Sequence, residues 1–241
     1  MPVSLIELVL AMVVVAAGSL IQGSIGIGLG ILTVPILSLI DPVMAPVPTL
    51  LLAIPLTFSM ALRERSHIES KGVLWLLLGR FPGAILGLGL LAVATQRTLD
   101  IWIALSVIVA VLILSTGVKV SRTSATEFGT GLMAGVMGMV ASMGGPPAAL
   151  LFKDAKGPTV RSTLALFFTF GLALTLVARI VAGRITVDDV LIAAWMLPGL
   201  AIGYVASSRL RGRVDAMALR PAILVVSSIA AIGLLIRALL G

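Results

Sequence analysis

Residues 5–40 form one apolar run in which Glu7 is the only charged side chain. As a single helix, 36 residues at 1.5 Å each would reach about 54 Å, against a bilayer core of about 30 Å. A run of that length has to break, and Gly23 to Gly30 is where the backbone is freest to do so. The same kind of interruption returns 112 residues further on. Gly23, Gly26 and Pro35 punctuate QGSIGIGLGILTVPIL; Gly135, Gly138 and Pro147 punctuate AGVMGMVASMGGPPAALLF. The offset also relates LTFSMAL (56–62) to FTFGLAL (168–174) through Thr57/Thr169, Phe58/Phe170, Ala61/Ala173 and Leu62/Leu174. In the second copy, run 128–152 is expected to break at Gly144-Gly145-Pro146-Pro147, because proline removes a donor and clashes with the preceding turn.

Only 11% of the 241 residues are charged and 59% are hydrophobic, whereas a soluble domain carries about 25% charged residues. A large core does not account for the deficit, since a water-facing surface would still need covering. The chain reads as an all-α multispanning membrane protein. Besides 5–40 and 128–152, apolar runs of spanning length lie at roughly 46–62, 73–94, 99–118, 162–182, 188–207 and 217–239. The segment at the N-terminus carries Glu7 rather than a basic n-region and outlasts a signal h-region, so it reads as a retained span.

The net charge of +7 comes from short basic clusters between the runs, the pattern that orients membrane proteins, and nucleic acid is not an expected partner. There is no cysteine, and one histidine, His67, sits in the charged loop RERSHIESK. Disulfides and multi-histidine metal cages are therefore excluded. Asparagine is absent, leaving Gln22 and Gln96 as the only side-chain amides. No carboxylate pair, hydroxyl–histidine–acid set or metal-ligand cluster lies within the spans. A membrane enzyme would need one. The expectation is a protein without cofactor or metal that moves a solute and does not transform it.

Loop charge tests the topology. With eight plain crossings the basic loop residues divide seven against eight, which is no bias. If both broken segments return to the side they entered from, Arg63, Arg65, Lys71, Lys119, Arg122, Lys153, Lys156, Arg161, Arg209, Arg211, Arg213 and Arg220 share a side. Arg97, Arg184 and Arg237 then oppose them. Twelve against three satisfies the positive-inside rule. The expected architecture is two four-helix repeats, inverted, each with a Gly/Pro-broken or re-entrant first segment. They occupy 1–118 and 128–241, joined by a linker at 119–127. PGAILG (82–87) and PGLAIG (198–203) extend the duplication, and their Gly-x-x-x-Gly spacing reads as close helix packing.

A helix N-terminus presents unpaired N–H groups and partial positive charge, and open backbone survives at membrane depth only around a protein-lined cavity. Two facing breaks would make a small donor-rich site for an anion. The candidate binding residues are Gly23, Ser24, Gly26, Gly28, Gly30, Thr33 and Pro35 in the first half, and Ser142, Gly144, Gly145, Pro146 and Pro147 in the second. The opposing reading is that the glycines permit tight packing and the hydroxyls bond back to their own helices. Arg80 sits about 10 Å inside its span and reads either as an anion-attracting residue or as a snorkelling one. Arg179, nearer a boundary, is expected to snorkel. Glu7 reads as interfacial, and Asp188 and Asp189 as a helix start.

GSIGIGLGILTVP, then GMVASMGGPPAALLF and VRSTLALFFTF, resemble the TauE/SafE sulfite-exporter family along essentially the whole chain. The resemblance rests on the glycine-rich segment ending in proline, the Gly145-Pro146-Pro147 step, and the Arg161-Ser162-Thr163 helix start. It implies two similar four-helix halves and transport of a small anion, sulfite or an organosulfonate among them, across a bacterial inner membrane as a multi-pass protein. A coupling proton or other ion is a further partner it leaves open. Arg161, with Arg80, becomes a residue that attracts the anion; Arg161 reads equally as a loop charge that orients the chain. The alternatives are a carrier of another small solute and a non-transporting membrane scaffold.

Overall fold

The computed structural model describes residues 3–70, 72–115, 120–152, 155–210 and 216–240. They form ten α-helices and, among the described residues, no strand: α1 (Leu5–Ile25), α2 (Leu29–Ile40), α3 (Val47–Arg63), α4 (Val73–Ala92), α5 (Gln96–Ser115), α6 (Ser124–Ala141), α7 (Gly145–Leu151), α8 (Gly157–Val181), α9 (Val187–Leu210) and α10 (Ala216–Leu240). Seven are long and apolar enough to cross a membrane: α1, α3 with the short turn before it, α4, α5, α8, α9 and α10. Their outward faces carry large exposed apolar side chains, Ile6, Phe58, Phe170, Val181 and Ile229 among them. An apolar exterior of this extent marks a lipid-facing surface.

Both long apolar runs break. α1 starts at a capping box in which Ser4 Oγ accepts from Glu7 N (3.3 Å) and Glu7 Oε2 accepts from Ser4 N (2.8 Å). It ends at Gly26, whose φ of 98° is left-handed, and Gly28 (φ 144°) starts α2. Side chains rarely adopt either conformation, which is why glycine occupies both places. α2 then folds back along α1: Gln22 Oε1 accepts from Leu29 N at 3.0 Å, and a Cβ on Gly18 would lie 2.7 Å from the Thr33 methyl. The 5–40 run is thus a helical hairpin, broken inside the expected window.

The second break falls earlier than expected. α6 is capped by Thr123 and Thr126 and ends at Ser142, whose φ is 53°. Gly145 opens α7, and Pro146 and Pro147 occupy its first turn. The prolines do not interrupt a helix here; they start one, at positions whose N–H groups have no helical partner to lose.

Glycine-to-backbone contact organises the packing. α4 lies against α6, where a Cβ on Gly83 would fall 2.2 Å from the Leu132 carbonyl oxygen. α9 lies against α1, where a Cβ on Gly199 would fall 2.4 Å from the Met12 carbonyl oxygen. Small residues let these backbones touch, as the Gly-x-x-x-Gly spacing predicts. The pairing is reciprocal: α1 packs on α9, and α6 on α4. α3 packs on α8, and there Thr169 Oγ1 lies 3.2 Å from Thr57 Oγ1, within hydrogen-bond reach. Those threonines are separated by the 112-residue offset.

Hydrogen bonds identify which helix ends lie together. Arg63 Nη2 donates to the Gly23 carbonyl (2.9 Å), Arg161 pairs with Glu64 (2.7 Å) and Arg122 with Glu69 (2.7 Å). The ends of α1 and α3 and the starts of α6 and α8 therefore meet at one arginine-rich end. At the opposite end Arg237 pairs with Asp100 (2.7 Å) and donates to the Ser38 carbonyl, while Arg184 reaches the Ala92 carbonyl. α1 runs toward the arginine-rich end and α6 away from it. Lys71, Lys119, Lys153, Arg211 and Arg213, and the side chain of Arg220, lie outside the described residues.

Arg179 departs from expectation. It is 3% exposed and donates through Nη2 to the Met139 carbonyl, so it points inward instead of snorkelling. The free carbonyls near the C-terminus of α6 supply the attraction.

Candidate functional site

The two breaks touch. A Cβ on Gly30 would lie 2.7 Å from the Ser142 carbonyl oxygen, and one on Gly145 3.6 Å from the Ile27 side chain. At this junction is a cavity of about 40 Å³. The first break contributes Ile27, Gly28, Gly30 and Ile31; the second contributes Ser142, Met143, Gly144, Gly145 and Pro146. Gln22 of α1, Ala53 and Thr57 of α3, Arg80 of α4, and Phe168 and Leu172 of α8 complete the wall. About 10–15 Å³ suffices for one water, so the cavity has room for an ion of a few heavy atoms.

Arg80 dominates its electrostatics. The side chain is 0% exposed, which excludes the snorkelling alternative. Its Nε, Nη1 and Nη2 have no hydrogen-bond partner among the described residues. Three glycines make room for the head: a Cβ on Gly171 would lie 2.0 Å from Nε, and Gly138 and Gly144 would each bring one within 2.9 Å of the guanidinium. The ring of Phe167 lies under it, 5.0 Å from Cζ to centroid. Among the described residues, no carboxylate lines the cavity. Glu64 is engaged by Arg161, Glu69 and Glu127 by Arg122, and Asp100 by Arg237. A buried cation without a counter-charge costs several kcal/mol, and an anion in the cavity would offset that.

The remaining polar lining adds donors. The Gln22 oxygen is committed to Leu29 N–H, so its NH₂ is the group it can offer the cavity. Gly30 and Ile31, in the first turn of α2, carry N–H groups that no helical carbonyl can accept. The Ser142 hydroxyl is spent on the Pro46 carbonyl at 3.0 Å. α7 offers less than expected, because Pro146 and Pro147 have no N–H to give.

Of the residues singled out in the sequence, Gly28, Gly30, Arg80, Ser142, Gly144, Gly145 and Pro146 line the cavity. Gly23, Ser24, Gly26, Thr33, Pro35, Pro147 and Arg161 lie outside its wall. Ser24 and Thr33 donate to their own helix, at the Leu20 and Leu29 carbonyls. Gly23 packs against Ser207, and Pro35 lies within α2. Arg161 sits over Gly26 with Nε 3.0 Å from Glu64 Oε2 and Nη1 3.3 Å from the Ser24 carbonyl. Gln22, Thr57 and Phe168 went unnamed as site residues. Gln22 had a signal, as one of two side-chain amides in the chain, and Thr57 had one as half of a repeated pair.

The family model of the sulfite exporter TauE/SafE matches residues 10–234. Compared with the curated proteins and with the solved structures, the chain has no significant match. The match takes in all ten helices in whole or in part, both breaks and the cavity between them: this chain is a multi-pass membrane protein of the TauE/SafE sulfite-exporter family, a family of transporters.

Proposed function

We propose that this protein is a secondary transporter of a small oxyanion, sulfite or a related sulfur oxyanion, bound between the two helix breaks with Arg80 as its counter-charge. The observation that carries the reading is the Arg80 guanidinium: fully buried, without a hydrogen-bond partner among the described residues, and facing a cavity that Gln22 and Thr57 also line. The volume of about 40 Å³ favours a compact oxyanion over a bulky organosulfonate. Arg161 acts on this reading as a strut, holding the first break closed at the arginine-rich end.

Transport proceeds by one half rocking against the other about the α3–α8 contact. Reciprocal helix pairing, the meeting of Thr57 with Thr169, and the opposite directions of α1 and α6 support two inverted repeats. The excess of arginine at the α3–α8 end makes that end cytoplasmic, in a bacterial inner membrane. Thermal unfolding of the purified protein with sulfite, sulfate, organosulfonates and carboxylates tests the substrate class. Saturable stabilisation by sulfite that vanishes in Arg80→Gln supports the reading. Equal stabilisation of both proteins, or none of either by any anion, removes it.

A further inference from the structure

A hydroxyl has one proton to give, and that arithmetic singles out Thr57 and Thr169. Thr57, on α3, is 0% exposed and lines the cavity with Arg80. Its hydroxyl reaches the Ile54 carbonyl at 3.2 Å, long for an O–H···O bond. Thr169, on α8, has two acceptors within reach: the Ala165 carbonyl at 2.8 Å and Thr57 Oγ1 at 3.2 Å. Its proton serves one of them at a time. The shorter contact keeps that proton on α8 while the Thr57 proton stays on α3, and the two oxygens then face each other without a hydrogen between them.

An acceptor in the cavity changes this balance. Thr57 gives up a long bond to gain a charge-assisted one, which is about twice as strong as a neutral bond. A hydroxyl that donates to an anion is itself a better acceptor, so Thr169 gains by turning from Ala165 to Thr57.

We propose that Thr57 and Thr169 form a substrate-dependent hydroxyl relay, in which Thr57 donates to the oxyanion held by Arg80 and Thr169 donates to Thr57. The inference rests on the reading of the cavity as the anion site. Its consequence is mechanical. Two bonds that each serve a single helix become one chain from α8 through α3 to the substrate, so the bound anion ties together the two halves that must move.

The test is a double-mutant cycle on the full-length protein, with half-saturating sulfite read from thermal stabilisation and the anion-free unfolding temperature recorded for every variant. Thr57→Val should raise half-saturation about tenfold or more, the loss of one hydrogen bond to a charged group. Thr57→Ser, which keeps the hydroxyl, should stay near wild type. Thr169→Val should weaken binding alone and have no further effect on top of Thr57→Val. Should Thr57→Val fail to fold, Thr57→Ala takes its place in the cycle. Unchanged affinity in the Thr57 variant, or an equal loss from Thr169→Val in both backgrounds, overturns the relay. Arg80→Gln separates the two ideas: if it abolishes saturable binding while the cycle shows no coupling, the relay fails and the site stands. If Arg80→Gln binds like wild type, the site itself fails.

Discussion

Replacing Arg80 by methionine should make the anion-free protein more stable and at the same time blind to anions. The sign follows from the burial. Arg80 is 0% exposed, all three guanidinium nitrogens lack a hydrogen-bond partner among the described residues, and no carboxylate lines the cavity beside it. Burying an ion costs several kcal/mol even after relaxation. The Phe167 ring, 5.0 Å away, returns only about 0.5–2 kcal/mol of that. Methionine keeps most of the apolar stem and loses the charge, so the exchange should stabilise the anion-free state by about 1–4 kcal/mol, taking the range for swapping buried ion pairs for apolar side chains as the guide. Sulfite at 100 times its dissociation constant should stabilise the wild type by about 2.7 kcal/mol and the variant not at all. Thermal unfolding of both proteins, with and without sulfite, reads all four states. A variant less stable than wild type that still responds to sulfite would refute the argument, because Arg80 would then be a satisfied structural residue.

Three further outcomes follow. Gly171→Ala puts a Cβ 2.0 Å from Arg80 Nε, and the flexible arginine head has to yield; the protein should fold while half-saturating sulfite rises at least about tenfold in the same thermal assay. Glu64→Gln or Arg161→Gln alone should lower stability by about 3–5 kcal/mol, each breaking a largely buried ion pair, whereas Glu64→Leu with Arg161→Met should lose less than the sum on denaturation. Reporter fusions at Arg65 and Arg184 should fall on opposite sides of the membrane; the same side would remove the inverted arrangement.

The broken first segment was legible because length alone forces it: no single helix of 36 residues fits a bilayer of about 30 Å. The second break was legible in kind but displaced. Gly-Gly-Pro-Pro reads as an interruption, yet proline is comfortable in a helix's first turn, and only the backbone shows that Ser142 bears the left-handed residue. Gly-x-x-x-Gly named its own role, since contact between backbones leaves no other residue room. The candidate site was half legible. Glycines in the breaks mark where open backbone can lie, and they line the cavity at Gly28, Gly30, Gly144 and Gly145. The fate of a hydroxyl or a guanidinium depends on the partner across the fold, which spacing along one chain does not specify. Ser24 and Thr33 thus turned to their own helices, Arg161 found Glu64, and Arg80 found none among the described residues. Thr57 was visible only as half of a repeat, because its place beside the cavity comes from the crossing of α3 and α8.

On the function proposed above, a small oxyanion crosses this protein through the Arg80 cavity. Sulfite flux through proteoliposomes holding either the wild type or Arg80→Gln, at matched protein content, tests it most directly. Saturable flux in the wild type and its loss in the variant are expected; equal flux through both, or none through the wild type for sulfite or any related oxyanion, would rule out that route.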